Sequence, residues 1–178
     1  MPKFESAIQK TYRPAEGAAI SIADESFVAK TLVRSDQPQF GLTFGHSAVV
    51  GDALVAATRP DEWLILGAQN AVALAEQSVD RDGFTNVISF THGRSLFRIT
   101  GGPARSLLEK VCGIDWSNPM TPNGAVVSAS VALVTCDIIR NDQEQLSYLL
   151  QCDRSFGQYL FDALIDAGDE FGVTTLLA

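Results

Sequence analysis

The sequence of 178 residues is poor in basic side chains. Thirteen Lys and Arg stand against 21 Asp and Glu, so the formal net charge is -8 at pH 7. Nucleic acids and anionic membranes both favour clustered Lys and Arg, so neither is predicted as a partner. An acidic surface also keeps ordinary proteins in solution, so the charge alone identifies no partner.

The sequence also lacks long hydrophobic runs. None of its apolar stretches reaches the length of a membrane span, and the first residues, MPKFESAIQKTYRPAEG, lack the apolar core of a signal peptide. We therefore predict a cytoplasmic protein. Residues 1–25 are predicted to form a loosely ordered N-terminal arm, and residues 26–178 a single domain.

Cysteine and histidine are scarce as well, with three and two residues respectively. The cysteines are odd in number and widely spaced, which argues against a disulfide framework and against a metal site. Cys136 and Cys152 lie in strand-like segments and are interpreted as small core residues. Cys112 has neither His46 nor His92 as a sequence neighbour, so no thiol–base pair is predicted. Because no Ser/His/Asp grouping is visible either, the sequence predicts no catalytic residue.

The apolar residues that are present follow strand and helix periods. They predict a strand over 27–33, a buried strand over 62–66 and a helix over 69–78. NVISFTHGRSLFRITG has the pattern of a hairpin, with Gly93 at a positive φ angle. Strands outnumber helices. We therefore predict an α+β fold of mainly antiparallel sheets covered by helices, with ferredoxin-like βαβ units.

Two further helices are predicted with defined ends. The first begins at Pro103, carries a leucine-rich face and ends at Gly113 in a left-handed cap. The last helix is capped by Asp153 or Ser155, carries an apolar stripe over 156–167 and is closed by Gly168.

Gly101-Gly102, between a strand and the first of these helices, could cradle a phosphate or only turn the chain. A P-loop needs Lys then Ser or Thr after its second glycine, and a dinucleotide loop needs three spaced glycines. Neither pattern is present, so the pair is interpreted as a structural turn. Arg105, in the first turn of the following helix, remains a candidate for contact with an anion or a partner.

Asp61-Glu62-Trp63 is the most specific tripeptide. Its carboxylates could act as acid or base and its indole as a stacking platform, but no partner group for such chemistry is visible. The alternative interpretation has Asp61 capping a strand and Trp63 buried. Asp61, Glu62 and Trp63 are therefore retained with Arg105 as interface or ligand candidates.

Three segments resemble the gamma subunit of heterotetrameric sarcosine oxidase: RPDEWLILG, SLFRITGGPARSLLEKVCGIDW and YLLQCDRSFGQYLFDALIDAGDEFGV. The similarity runs from Phe27 to Val173. The Pro-Asp-Glu-Trp-Leu strand, Pro60 to Leu64, is the more specific part. The segment Gly102 to Leu108, in which Gly-Pro begins a leucine-rich helix, is shared with the aminomethyltransferase superfamily of glycine-cleavage T-proteins and their folate-binding relatives.

The resemblance implies an accessory subunit. In such an oxidase, sarcosine is demethylated at a flavin held by another subunit, and the one-carbon unit passes to tetrahydrofolate. The implied partners are larger alpha-type subunits together with beta and delta subunits, which would carry FAD, FMN and NAD. This chain would hold no flavin, with tetrahydrofolate the one cofactor left open for it.

The sequence also departs from the T-protein pattern. T-proteins carry an acidic pair after Gly-Gly and a Gly-Glu-x-Gly-Phe-Glu stretch that holds folate, whereas this chain has IIRNDQEQLSYLL at the matching place. No catalytic residue is carried over. Two alternatives stay open: a stand-alone aminomethyltransferase or folate-binding one-carbon protein, and a ligand-binding or regulatory domain.

Overall fold

The computed structural model describes residues 5–10, 12 and 16–177. These residues form eleven strands and three α-helices. The strands are β1 (Ile20–Asp24), β2 (Ala29–Ser35), β3 (Ser47–Val50), β4 (Ala53–Arg59), β5 (Glu62–Gly67), β6 (Thr85–Ser89), β7 (Arg94–Thr100), β8 (Val126–Val131), β9 (Val134–Arg140), β10 (Ser147–Asp153) and β11 (Val173–Leu176). The helices are α1 (Gln69–Gln77), α2 (Ala104–Val111) and α3 (Gly157–Gly168).

The strands form two sheets. One has six strands in the order β11-β1-β7-β10-β9-β8, and the other has five in the order β3-β4-β5-β2-β6. Among these strands every pairing is antiparallel except that of β1 with β11. The predicted α+β class with mainly antiparallel sheets is confirmed.

The two sheets pack face to face, with helices on their outer faces. Because side chains alternate along a strand, each sheet can pack a helix on one face and the other sheet on its opposite face. A small apolar core lies between the sheets: Ala56, Leu64, Leu66, Leu96, Val126, Ile139 and Leu149. α1 covers the outer face of the five-stranded sheet, and α2 and α3 cover that of the six-stranded sheet. No described helix is both long and apolar enough to cross a membrane.

The six-stranded sheet contains one of the predicted βαβ units. β10 and β11 run parallel to each other, and α3 crosses between them over the outer face. β1, inserted between β11 and β7, belongs to the stretch 1–25 that the sequence predicted as a loose arm. Residues 20–24 of the predicted arm are therefore part of the folded sheet, because β1 has sheet partners on both sides. Residues 1–4, 11 and 13–15 of the predicted arm lie outside the described residues.

The hairpin predicted around Gly93 is wrong. β6 pairs with β2 in the five-stranded sheet, whereas β7 pairs with β1 and β10 in the other. The segment Thr91–Gly93 is a single 3-10 turn that carries the chain from one sheet to the other, and Gly93 has no positive φ. Alternation of apolar and polar residues indicates that a segment is extended, but it does not determine which strand pairs with it.

The predicted helix ends are also corrected. α2 ends at Val111 with Cys112 in extended conformation, and Gly113 has no positive φ. Gly168 is the last helical residue rather than a left-handed cap, with φ -87°. A β-carbon there would lie 2.6 Å from Val173 and 2.9 Å from Leu107, so Gly168 permits close packing of α3. Asp153 makes no cap bond, and its carboxylate instead pairs with Arg94.

Candidate docking groove and inter-sheet cleft

The tripeptide Asp61-Glu62-Trp63 lies where the β4–β5 turn enters β5. Successive strand residues point to opposite faces, so Glu62 and Trp63 are directed into different environments. Trp63 packs with the core beneath α1, and Glu62 faces the space between the sheets. The three candidates therefore do not form one site.

Asp61 and Trp63 line a surface groove of about 380 Å³, here named the tryptophan groove. Trp63 is 3% exposed, and its indole N–H donates to the carbonyl oxygen of Leu42 over 3.2 Å. Phe44, at the edge, is 54% exposed. The lining is mainly apolar, and its charged members are Asp36 and Asp61, with no base among the described residues that line it. The full lining is Ser35, Asp36, Gln37, Pro38, Leu42, Thr43, Phe44, Pro60, Asp61 and Trp63.

The loop that forms one wall of the groove is held by the buried amide of Gln39. Its Nε2 donates to the Ser35 hydroxyl at 3.0 Å and to the Asp80 carbonyl at 3.1 Å. Its Oε1 accepts from the Asp80 N–H at 2.9 Å. The amide thus ties this loop to the backbone of Asp80, in the connection between α1 and β6, and holds that wall of the groove in place.

Glu62 lines a second cavity, of about 200 Å³, between the two sheets. Glu62 is 8% exposed, and its carboxylate accepts from the Thr58 hydroxyl at 2.8 Å and from Arg34 Nε at 3.1 Å. We name this cavity the arginine cleft, lined by Leu32, Arg34, Thr58, Arg59, Glu62, Leu64, Phe90, Arg94, Asp137 and Gln151.

A second ion pair stands in the arginine cleft. Arg59 Nη1 donates to Asp137 Oδ1 at 2.8 Å and to the Ser128 hydroxyl at 2.7 Å. The hydrogen bond to Asp137 raises the pKa of the Arg59 guanidinium above its usual value. Arg59 therefore keeps its positive charge at neutral pH.

Arg105, the remaining candidate, lies on α2, on the outer face of the six-stranded sheet. Its Nη2 donates to Asn118 Oδ1 at 2.6 Å, and Arg140 Nη1 donates to the same oxygen at 2.7 Å. Arg140 also donates to the carbonyl oxygen of Thr121 at 2.7 Å. Arg105 thus helps to anchor the loop that follows α2, and it belongs to neither cavity.

The amino-acid sequence matches one protein-family model. Residues 39–176 match the model of the GCVT N-terminal domain. The chain belongs to this family. A search of curated proteins finds no significant match.

Solved structures resemble this GCVT-type chain in fold. One is a chain of the heterotetrameric sarcosine oxidase from Corynebacterium sp. U-96 in complex with pyrrole 2-carboxylate. It shares 18% identity at a TM-score of 0.73, covering 89% of this chain and 88% of that one. Another is the glycine cleavage system aminomethyltransferase T from Bartonella henselae, with 15% identity and a TM-score of 0.66. This match covers 89% of the present chain but 48% of that one, so the chain spans about half of the aminomethyltransferase.

The GCVT-type fold makes tetrahydrofolate a plausible ligand, and a third cavity tests the fit. This cavity, of about 300 Å³, lies beside the β9–β10 connection. Among the described residues that line it, Arg98 is the one base, against Glu25 and Asp52. Arg98 donates to both Glu25 oxygens, at 2.6 and 3.3 Å, and to Ser147 at 3.2 Å. Folate carries a dianionic glutamate tail, and Arg98 is already paired with Glu25, so the described lining offers that tail no unpaired base.

Sequence reasoning missed several residues of these two sites. Phe44 lies in a glycine-rich segment without clear periodicity, and its exposure follows from the loop that Gln39 holds. Gln151 and Asp137 are direct cross-strand partners in β10 and β9, a pairing that the sequence did not reveal. No group of three or more His, Cys, Asp or Glu side chains suited to a metal converges within the described part of the chain.

Proposed function

We propose that this chain is a non-catalytic, gamma-type subunit of a sarcosine oxidase-like complex. The observation that carries the proposal is the mutual coverage of 89% and 88% with a chain of a heterotetrameric sarcosine oxidase. The aminomethyltransferase match leaves about half of that enzyme without a counterpart. Oxidative demethylation, with FAD, FMN and NAD, then takes place on larger alpha-type, beta and delta subunits.

The tryptophan groove supports a docking role. Exposed apolar surface of this kind marks protein interfaces when it is grouped and rimmed by polar residues. Phe44 stands at the groove, and Phe84, which is also exposed, is joined to the lining by the bond from the Asp36 N–H to its carbonyl oxygen. Aromatic residues of this type are enriched at the centre of interfaces.

The charge of the groove indicates the chemistry of the partner. Its rim carries Asp36 and Asp61, so an apolar side chain flanked by Lys or Arg would satisfy both the floor and the rim. We assign this groove to the larger alpha-type subunit. Three free cysteines fit a complex that works in the reducing cytoplasm.

Co-expression with the alpha-, beta- and delta-type subunits of the same organism tests the proposal. The chain should co-elute with the flavin-containing subunits, and Phe44→Gln should weaken that association about tenfold or more. Leu74→Gln is the matched control, because Leu74 is 61% exposed on α1 and does not line the groove. It should leave association within about twofold.

Two outcomes would contradict the subunit role. The first is a chain that stays monomeric when mixed with those subunits. The second is turnover of a methylated amine by the isolated chain. Titration of the isolated chain with tetrahydrofolate, followed by the fluorescence of Trp63 and Trp116, tests the alternative one-carbon function: quenching at micromolar ligand would favour it.

A further inference from the structure

The floor of the arginine cleft carries an unsatisfied polar atom. Gln151 is 4% exposed, and its Oε1 has no hydrogen-bond partner among the described residues. Buried side-chain oxygens in native proteins are nearly always paired, because leaving one unpaired forfeits its hydration without compensation. Tyr148 has an unpaired hydroxyl too, but Gln151 differs from it in lining the cleft, where a donor from outside the chain can reach the oxygen.

One bound water could donate to this oxygen, but it would leave most of the cleft volume unfilled. A single water requires about 10–15 Å³ of such volume, whereas the cleft has about 200 Å³. Drug-sized ligands occupy pockets of about 300–1,000 Å³. The cleft thus fits a small metabolite.

The charges around the cleft favour an anion. Its lining holds Arg34, Arg59 and Arg94 against Glu62 and Asp137, which leaves one positive charge in excess. Arg94 is paired with Asp153, which lies outside the lining, so the excess is a property of the lining alone. A monoanion would balance the charges of the lining.

The arginines retain donors for that anion. Arg34 engages Glu62 through Nε, and Arg59 engages its protein partners through Nη1. A guanidinium has five N–H donors in a planar fork suited to a carboxylate. Both side chains are partly exposed, which puts them at the mouth of the cleft above the buried Gln151.

We propose that the arginine cleft binds a small hydroxycarboxylate. Its carboxylate is held by Arg34 and Arg59, and its hydroxyl donates to Gln151 Oε1. The proposal is independent of the subunit role, because none of these three residues lines the tryptophan groove.

The first test compares ligands that differ by one hydroxyl. Heteronuclear NMR of the full chain is recorded during titration with glycolate and, separately, with acetate, and the pair lactate and propionate repeats the comparison. Glycolate should bind at least about tenfold more tightly than acetate, because acetate leaves the amide oxygen unpaired. Shifted resonances should include those of Gln151 and Asp137. Glycine provides a zwitterionic arm, which should bind more weakly than glycolate because it is not a monoanion.

The second test uses variants. Gln151→Leu removes the unpaired oxygen, and it should reduce glycolate affinity to that of acetate while acetate affinity stays unchanged. Arg34→Gln should weaken both ligands. Gln77→Leu, at the exposed end of α1, is the matched control and should change neither.

Three results would overturn the proposal. Absence of binding by either hydroxy acid at about 50 mM, far weaker than a carboxylate–guanidinium site requires, would mean that the cleft is only hydrated. Equal binding of glycolate and acetate to the unmodified chain would remove the role of the hydroxyl, whatever the variants do. Unchanged glycolate binding in a folded Gln151→Leu variant would remove Gln151 from the site.

Discussion

Gly101 lies against the backbone of Ala19, so closely that a β-carbon on Gly101 would be 2.2 Å from the Ala19 carbonyl oxygen. Gly101 also has φ +137°, a conformation that side chains rarely allow. The neighbouring Gly102 has no atom within 4 Å of such a β-carbon and no positive φ. The two adjacent glycines thus have different roles: Gly101 lets β7 pass close to β1 and turn into α2.

Replacing Gly101 should therefore cost far more stability than replacing Gly102. We expect Gly101→Ala to lower the free energy of unfolding by about 2 kcal/mol or more, since backbone strain and a backbone clash add. Gly102→Ala should stay within about 0.5 kcal/mol. Urea unfolding followed by circular dichroism measures both. Equal effects would contradict this account of the turn.

Tyr148 should tolerate loss of its hydroxyl. Its ring is fully buried and meets Trp116 edge to face, with centroids 5.3 Å apart, but the hydroxyl has no partner among the described residues. Tyr148→Phe removes an unsatisfied group and keeps the ring contact, so stability should be unchanged or higher. Thr58→Val is the comparison, because the Thr58 hydroxyl donates to Glu62; it should cost about 1 kcal/mol. The prediction would be contradicted if Tyr148→Phe lowered the free energy of unfolding as much as Thr58→Val does.

Lys30 should make stability rise in alkaline solution. The residue is fully buried, and its ammonium donates to the carbonyl oxygens of Ser26 and Val28, each at 2.8 Å. Burial lowers the pKa of Lys30 from 10.5 to about 8. Between these values the unfolded chain binds the proton more tightly than the folded chain, so this group favours folding increasingly from pH 8 to 10.5.

The test of Lys30 is a difference measurement. The free energy of unfolding of the unmodified chain minus that of Lys30→Met should increase between pH 8 and pH 10, because methionine has no proton to lose. Other groups that titrate in this range cancel in the difference. A difference that is flat or that falls with pH would show that the ammonium is not destabilised by burial.

The three thiols should be unreactive in the folded protein. Burial raises the pKa of Cys152 to about 12 and that of Cys136 further, and it also raises the pKa of Cys112. Because the thiolate is the reactive form, a thiol-specific disulfide reagent at pH 8 should label the native chain slowly. All three thiols should react at once in denaturant. One rapidly labelled thiol in the native chain would contradict this prediction.

Much of the fold could be predicted from local patterns. Helical spacing predicted α1 over 69–78, and the structure has Gln69–Gln77. The apolar run at 62–66 became β5, and Cys136 and Cys152 are buried strand residues as expected. These features depend on periodicity and burial, which neighbouring residues determine.

The pairing of strands could not be read in the same way. The hairpin around Gly93 failed because β6 and β7 each find partners remote in sequence. Asp61, Glu62 and Trp63 are adjacent in sequence, but alternation along β5 directs Glu62 into the cleft that Gln151 lines and Trp63 towards α1. Which groups Glu62 meets there depends on the second sheet, which the sequence does not reveal. Gln151 lies in an apolar segment of the sequence. Its amide lines the cavity between the two sheets, and the sequence does not show that the second sheet lies opposite it.

The parallel pairing of β1 with β11 has a consequence for biosynthesis. Ile20 is in register with Val173, so the two strands are separated by about 150 residues of chain. At roughly 5–20 residues per second, the ribosome delivers β11 about 8–30 seconds after β1. Both edges of β1 are open until β7 is made, and one edge stays open from then until β11 arrives, which exposes unpaired amides to neighbouring nascent chains. A chaperone or an early-binding companion subunit would be most useful in that window.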